Sequence, residues 1–229
     1  MRNPYCQGPG ITHDGHPLEE TDSYVYLGKL LAADCSIMGE LRRRKRAAWG
    51  AFGRIKEVTG YLSDPGIRAS LSHVLPALCY ASETWTLTAS AISYIENTYR
   101  GLERALTRVN RHQQRERRWT NEDLRKLSGA KDVVKYIYKA KHRWAGHVMR
   151  REDDRWTRRI TEWTVRGKTR PRGRPPARWS DSLQPLSLQP TTLPRTTTTR
   201  PTRTPFVHWS TRAQNREEWK RSDPRGKPA

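Results

Sequence analysis

A stripe of large apolar residues between residues 92 and 109 constrains the fold more than any other feature of the sequence. Its members alternate by three and four positions, which is the spacing of one face of an α-helix. They are Ile92, Ile95, Tyr99, Leu102, Leu106 and Val109. Such a stripe is far more often a core face than a ligand site, and Thr88 can cap the helix. The sequence therefore predicts a helical core around this segment.

Other segments carry helical signals as well. From Ile37, the apolar positions Leu41, Ala48, Phe52 and Ile55 share one face of a helix that is expected to end at Gly60. Ser63-Asp64-Pro65 is a helix start, with an N-cap oxygen followed by proline at the first helical position. Pro76 should kink or end that helix.

Two further helices are predicted downstream. Thr120 to Asp123 reads as a capping box, and Gly129 closes the short helix that it opens. A last helix runs from Val133 to about Met149 and carries Trp144 on its core face. The middle of the chain is therefore expected to be a helical bundle.

The residues before the helices favour short strands. Ile11-Thr12, a turn at Asp14-Gly15 and Pro17-Leu18 suggest a hairpin, and Tyr24 to Leu27 is a β-branched and aromatic strand that closes at Gly28. This is too little sheet to stand alone, so it is expected to be the edge of something larger.

The residues after Met149 lose the helical period. Arg170 to Pro176 is too rich in proline for a helix and should be an extended arm, whose Arg-Gly-Arg-Pro core resembles an AT-hook. Residues 182–205 are low in complexity and are predicted to be disordered. A short amphipathic piece from His208 to Trp219 follows.

The predicted fold is therefore mainly α: a helical bundle preceded by a small β-hairpin remnant and followed by an extended basic arm and a disordered tail. The expected divisions are residues 1–33 (strands), 34–150 (helical bundle), 151–181 (basic arm), 182–205 (disordered insert) and 206–229 (short basic amphipathic tail).

Charge is the strongest indication of function. The 229-residue chain has a net charge of +21, and residues 141–179 hold nine of those charges together with four of the nine tryptophans. Cations interleaved with flat rings suit a polyanion that offers faces for stacking, which is a property of nucleic acids. A solvated basic surface whose tryptophans fill a small core is the alternative, and an anionic membrane surface is the second possible partner.

The candidate nucleic-acid-binding residues fall into two groups. One is a run of five cations on the first helix, for which a solvated face is an equally good interpretation. The other is the arm, where general phosphate contact is favoured over sequence-selective binding. The residues are Arg42, Arg43, Arg44, Lys45, Arg46, Arg166, Lys168, Arg170, Arg172, Arg174, Arg178 and Trp179.

No catalytic or metal-binding residue is predicted. The chain lacks a phosphate-cradling GxxxxGK[ST] loop, a GxSxG elbow and an HExxH helix. Asp153-Asp154, between arginines, favours a salt-bridged turn over a two-metal site. Three widely spaced cysteines indicate reduced thiols, and no apolar window is long enough to span a membrane. We therefore expect a soluble intracellular protein of the nucleus or cytoplasm, with RNA and DNA (RNA–DNA hybrid or template–primer) as partners, no membrane partner and no small-molecule substrate.

Several motifs in register carry a family resemblance. Ser23-Tyr24-Val25-Tyr26-Leu27-Gly28 comes first, and Val74 to Tyr80 follows with Ser82 to Leu87. Arg143 to Val148, Arg155-Trp156-Thr157, and Arg172 to Pro176 with Arg178-Trp179 complete the set. In this order they resemble the region that follows the catalytic centre in reverse transcriptases of non-LTR retrotransposons, particularly RTE-like elements. The resemblance covers Ile11 to about Asp181 and resumes weakly at His208 to Lys220.

The resemblance implies roles for the predicted divisions. Residues 1–33 would be the last strands of the palm near the primer grip, the bundle would be the thumb, and the remainder would be a basic C-terminal extension. The family joins an endonuclease to an RNA-directed DNA polymerase whose aromatic-x-Asp-Asp turn holds magnesium. That turn lies upstream in the family and is absent from this chain, and Asp153-Asp154 does not match it. No cofactor is expected here, although the full-length parent enzyme would use magnesium.

Two hypotheses of function are favoured, and an enzyme that is active on its own is the third. The first is a template–primer-binding end of a retrotransposon reverse transcriptase, a fragment or decayed copy that binds RNA and DNA and lacks activity alone. The second is a free-standing basic nucleic-acid-binding protein with an AT-hook-like arm. Residues 182–205 separate two segments that resemble the family, which an insertion, read-through or degeneration would explain.

Overall fold

The computed structural model describes residues 8–71, 74–153, 155–163, 177–183 and 208–222. This part of the chain is mainly helical with two short antiparallel hairpins, which confirms the predicted fold class. The described residues divide into two compact units, which lie within residues 1–81 and 88–134 for the first and within residues 82–87 and 135–229 for the second. The two units divide the chain at residue 135, inside a helix, whereas the sequence suggested a boundary near residue 150.

The first hairpin of the first unit joins β1 (Thr12–His13) to β2 (His16–Pro17). Its two turn residues, Asp14 and Gly15, both have positive φ values, of 51° and 78°. Two consecutive left-handed residues form the tight turn whose twist matches that of antiparallel strands, and Asp-Gly is a preferred sequence for it. The predicted hairpin is confirmed.

The second hairpin joins β3 (Ser23–Tyr26) to β4 (Lys29–Ala32), with Tyr26 opposite Lys29. Gly28 has a φ of 76°, and a Cβ atom there would lie 3.2 Å from the ring of Tyr80. Glycine is therefore required both by the turn and by the close approach of the tyrosine. Strand β3 is exposed throughout, whereas β4 contacts the first helix.

The first unit contains six described helices. Helix α1 packs against α3 and α4, while α2 and α6 contact each other and α4. Their bounds are α1 Met38–Tyr61, α2 Pro65–Leu71, α3 Val74–Leu78, α4 Ala89–Thr107, α5 Arg111–Glu116 and α6 Asn121–Ser128.

Helix α4 carries the stripe on which the predicted core depends. Ile95, Tyr99, Leu102 and Leu106 are all buried, and Ile92 is half-buried at the start of the helix. The hydroxyl of Thr88 accepts a hydrogen bond from the backbone N–H of Ala91 at 3.2 Å, which satisfies one of the free donors of the first turn. The prediction of a core helix with a threonine cap is confirmed.

Reciprocal capping boxes begin α5 and α6. At α6, Thr120 and Asp123 bond each other's backbone N–H groups and Gly129 follows in the left-handed conformation, as predicted. At α5, Asn110 and Gln113 form the same arrangement. Helix α5 was not predicted, because it buries no residue and therefore has no apolar stripe.

Proline positions also follow from helix chemistry. Pro65 is the first residue of α2, where its missing N–H removes no helical hydrogen bond. Pro76 is the third residue of α3, within the first turn of that helix. Residues 72 and 73 lie outside the described residues, so the predicted kink or early end at Pro76 stays a prediction.

The second unit takes most of α7 (Val133–Met149), followed by α8 (Trp156–Glu162), α9 (Trp209–Gln214) and α10 (Arg216–Arg221). Two short 3₁₀ turns, at Ser82–Thr84 and Trp179–Leu183, also belong to it. A core cluster joins α7 to the last two helices, and its members are Ala145, Met149, Leu183, Trp209, Ala213 and Trp219.

The expectation that Trp144 faces the core is wrong. Its side chain is only half-buried, whereas Lys141, Ala145, Val148 and Met149, at spacings of four, three and one, form the buried face of α7. Two of the large buried rings of the second unit, those of Trp209 and Trp219, come instead from the predicted tail, and a third belongs to Trp85. At Gly146, a Cβ atom would come within 2.5 Å of the Trp219 ring, so α7 and this tryptophan are in very close contact.

Two predictions concern regions that the structure covers only partly. Of the predicted disordered insert 182–205, residues 184–205 lie outside the described residues. Within the described residues, no helix is long and apolar enough to cross a membrane.

Candidate nucleic-acid interface

The run of five cations that begins at Arg42 divides into structural and exposed residues. Arg44 is buried, and its Nε donates to Glu40, one helical turn earlier, at 2.5 Å. Its guanidinium also donates to the carbonyl of Gly28 and lies 4.4 Å from the centre of the Tyr80 ring. The charge of Arg44 thus closes the second hairpin onto α1, and its assignment to a nucleic-acid-binding face stays a prediction.

Arg43 and Glu40 complete this buried network. Arg43 is half-buried, lies 3.3 Å from Glu40 and also donates to the Gly28 carbonyl. Glu40 is 1% exposed and accepts a further hydrogen bond from the backbone N–H of Leu30 at 2.8 Å. Two arginines, one carboxylate and two backbone groups thus satisfy one another in the first unit.

Arg42, Lys45 and Arg46 remain as the exposed cations of the run. Consecutive residues on a helix are rotated by about 100° from one another, so five in a row cannot share a face. Lys45 lies 5.7 Å from the ring centre of Tyr94, whereas Arg42 and Arg46 are one turn apart on α1. These three residues are the part of the predicted α1 surface that can meet a partner.

The second predicted group is described only at its end. Arg166, Lys168, Arg170, Arg172 and Arg174 lie outside the described residues. Arg178 is exposed, and its backbone N–H donates to the Asp181 carboxylate at 2.7 Å.

Trp179 serves the interior of the second unit. Its indole N–H donates to the carbonyl of Glu83 at 2.7 Å, and its ring lies edge-on to Trp209 with centroids 6.0 Å apart. The ring also lies 5.2 Å from the ammonium group of Lys141. The ring of Trp179, which was predicted to stack on a base, thus contacts other residues of the second unit.

Lys141 is the most unusual charge in the second unit. It is fully buried, and its ammonium group donates to the carbonyl of Trp85 at 2.8 Å. Burial lowers the pKa of Lys141 to about 7, an effect that the negative charge of Asp181 partly opposes. The residue therefore holds the Trp85 and Trp179 segments against α7 rather than offering a cation to a ligand.

A basic cleft lies along α7 within the second unit. It has a volume of about 600 Å³ and combines cations with Trp144 and His147, whose rings are 5.8 Å apart. Arg150 donates to the carbonyl of Ala213 at 2.9 Å, which fixes its guanidinium at the cleft wall. We call this the α7–α10 cleft, and its lining residues are Glu83, Ala140, Arg143, Trp144, His147, Arg150 and Arg216.

A second basic cleft, in the first unit, is lined by residues of α4, α5 and the turn that follows. Neither cleft was predicted, because the cations of each are spaced along the chain rather than consecutive. A signal was present: Arg100 and Arg104, and likewise Arg111 and Arg115, stand four residues apart, which puts each pair on one helical face.

Glu103 and Cys79 are buried ionisable groups of the first unit, and Asp153 is a paired carboxylate of the second. Glu103 is fully buried and pairs with Arg125 at 2.7 Å, and burial raises the pKa of its carboxyl in spite of that arginine. Burial likewise raises the pKa of the Cys79 thiol to about 12.

Asp153 pairs with Arg151 and Arg155 at 3.0 and 2.8 Å, as predicted for a salt-bridged turn. Asp154 lies outside the described residues.

No group of three or more His, Cys, Asp or Glu side chains is arranged to hold a metal ion in the part of the chain that the structure describes. Among the ionisable residues that the structure brings together are pairs of arginine with carboxylate and clusters of arginine. Clustered arginines can form charge-assisted hydrogen bonds with anions without a metal ion.

Comparison with known proteins gives one informative relative. A transposon-derived protein of Caenorhabditis elegans, itself named as uncharacterised, is 41% identical over 204 residues, which is 88% of this chain and 70% of the relative. The chain belongs to this transposon-derived family. No protein-family model matches it, and no solved structure matches it. The matched length spans both compact units of the transposon-derived chain, so the relationship is not confined to one helical segment.

Proposed function

We propose that this transposon-derived chain is the template–primer-binding C-terminal part of a retrotransposon RNA-directed DNA polymerase. The observation that carries the proposal is the combination of its relationship to a transposon-derived protein with a net charge of +21. The choice of this polymerase follows from the motifs that resemble those of non-LTR reverse transcriptases. In this role the chain binds and positions nucleic acid, while the chemistry belongs to catalytic aspartates that it does not carry.

Because two of the five consecutive cations on α1 are engaged inside the first unit, the proposed nucleic-acid-binding surface of this helix is small. Arg44 and Arg43 are engaged inside the first unit, so Arg42, Lys45 and Arg46 supply the contacts of that helix. Each phosphate neutralised by a cation releases counterions, and the logarithm of the affinity then falls with the logarithm of the salt concentration. For duplex DNA the slope is about −0.9 for each phosphate contact.

A titration of the intact chain tests the proposal. RNA–DNA hybrid, duplex DNA and single-stranded RNA are each titrated at several salt concentrations. We expect steep salt dependence for all three and the tightest binding to the hybrid, which is the product of copying RNA into DNA. Affinity that does not change with salt would overturn the proposal, and a preference for AT-rich duplex DNA would favour a free-standing protein with an AT-hook-like arm.

A matched pair of variants localises the contacts. Arg42→Ala combined with Arg46→Ala removes two exposed cations from α1, whereas Lys126→Ala combined with Lys131→Ala removes two exposed cations from elsewhere in the first unit. We expect the first variant to reduce the salt slope on duplex substrates by about two contacts, or about 1.8. The second variant should leave the slope close to that of the wild type.

A further inference from the structure

The cleft at the C-terminal half of α4 combines arginines from three neighbouring segments. Arg100 and Arg104 come from α4, Arg111 and Arg115 from α5, and Arg118 from the turn after α5. We call it the α4–α5 cleft; its volume is about 560 Å³. The other lining residues are Asn97, Gln114, Trp119 and Asn121.

The positive charge of this cleft is poorly compensated. None of its described lining residues is acidic, and Arg100 alone among its arginines is paired, with Glu96 at 3.1 Å, in the described structure. The Nε atom of Arg100 is buried without a hydrogen-bond partner. Burial lowers the pKa of Arg104, and the like charges of Arg111 and Arg100 lower it further while Glu103 opposes them. An anion in the cleft would relieve this repulsion.

The local backbone holds the cleft open in advance of any ligand. Arg108 ends α4 in the left-handed conformation, and the capping box of Asn110 then starts α5. The side chain of Gln114, within α5, reaches the residues that follow the helix. It donates to the carbonyl of Trp119 at 3.2 Å and to the amide oxygen of Asn121 at 3.3 Å. The N–H of Trp119 donates back to the carbonyl of Gln114 at 2.9 Å. These bonds fix the turn that brings the indole to the cleft.

We propose that the α4–α5 cleft binds single-stranded nucleic acid, with its arginines on the phosphates and Trp119 stacked on a base. The inference rests on the proposed nucleic-acid binding of the chain, but it names a different surface from the cations of α1. Guanidinium groups form paired hydrogen bonds with phosphate oxygens, which a helical spacing of four residues can repeat along a backbone.

The aromatic ring decides which polyanion fits. Grooves that follow an unpaired strand combine cations with rings on which bases stack, whereas a duplex keeps its bases stacked on one another. An acidic polypeptide offers charge without a flat face. The indole of Trp119 is half-buried and carries the guanidinium of Arg117 4.8 Å from its centre, an arrangement that keeps the ring in place.

The experiment measures binding of labelled oligouridylate and oligothymidylate by the full chain and four variants. Trp119→Ala should weaken binding to both by about tenfold, and Trp119→Phe should retain most of the affinity because a ring remains. Arg111→Ala combined with Arg115→Ala should reduce the single-strand salt slope by about 1.4. The control, Lys126→Ala combined with Lys131→Ala, removes the same charge outside the cleft and should leave binding close to that of the wild type.

The outcomes separate this inference from the proposed function. If the wild type binds no nucleic acid, the proposed function itself fails. If the wild type binds with steep salt dependence but the cleft variants equal the wild type, the inference fails and the proposed function stands. Polyglutamate that competes with oligouridylate equally well in the wild type and in Trp119→Ala would identify an acidic-polypeptide site and overturn the inference. Circular dichroism of each variant, together with the Trp119→Phe result, distinguishes lost stacking from lost folding.

Discussion

Arg44 and Lys141 are both buried cations, one in each compact unit, and their surroundings are opposite in kind. Arg44 meets a carboxylate, a carbonyl and an aromatic ring. Lys141 meets a carbonyl and a ring, and it forms no ion pair with any residue that the structure describes. Both hold a segment in place, but only Arg44 does so with its charge compensated by an adjacent opposite charge.

The difference in surroundings explains how much the burial of each charge destabilises the folded state. Removing a charge from water is expensive, and an adjacent opposite charge with good hydrogen bonds offsets most of that cost. Lys141 lacks that compensation at contact distance, so burial lowers the pKa of its ammonium group to about 7 and favours the neutral form. A buried arginine in a basic run is therefore a structural element, whereas the buried lysine is a source of pH-dependent stability.

The largest change in the free energy of unfolding is expected from removing Arg44, the cation that is paired with Glu40. Arg44→Ala leaves the carboxylate of Glu40 buried, with only Arg43 still 3.3 Å away to compensate it. Breaking a buried pair in this way should lower the free energy of unfolding by about 3 kcal/mol. Denaturant unfolding followed by circular dichroism measures the change.

Arg42→Ala is the matched control, because it removes an exposed cation from the same run. A change within about 0.5 kcal/mol is expected for it. If the two variants were equally stable, the network around Glu40 would contribute nothing beyond a solvated surface, and the distinction between Arg44 and its neighbours would be lost.

Features set by local sequence were predictable. The buried face of α4, the caps at Thr88 and Thr120 and the turn at Asp14-Gly15 depend on residues within about one helical turn or one hairpin of each other. Even the Glu40–Arg44 pair stands at the helical spacing of four, which would have identified Arg44 as a paired residue before the structure was known.

Features set by distant contacts were not predictable. The partner of Lys141 is a carbonyl 56 residues away, and every backbone carbonyl looks the same in a sequence. Trp209 and Trp219 lie beyond a long low-complexity segment, so nothing local indicated that they complete a core with Ala145. The interleaving of tryptophan with arginine around Trp179 suits stacking on bases and packing inside a protein equally well.

A smaller change in the free energy of unfolding, counted per pH unit, is expected from replacing Lys141, which lacks a contacting carboxylate among the described residues. Between pH 7 and its ordinary pKa of 10.5, the unfolded chain holds a proton at Lys141 that the folded chain has lost. Stability should therefore rise with pH in this range, by at most about 1.4 kcal/mol per pH unit, and level off below pH 7 where both states are protonated. Lys141→Met should remove this contribution.

The measurement is the difference in unfolding free energy between wild type and Lys141→Met from about pH 6 to about pH 9. Lys139→Met, which replaces an exposed lysine of the same helix, is the matched control for the loss of one positive charge. Parallel stability curves for wild type and Lys141→Met would show that Lys141 stays charged in the folded chain, and the contrast with Arg44 would then disappear.

The smallest effect is expected at Asp181, the one described residue whose negative charge favours the charged form of Lys141. Asp181→Asn removes the charge and keeps an oxygen that can accept the hydrogen bond from the Arg178 N–H. The pKa of Lys141 should then fall further, so the rise of stability should begin at a lower pH than in the wild type. Because the interaction is electrostatic, the shift should be largest at low ionic strength. An unchanged onset at low salt would mean that burial alone sets the pKa of this lysine.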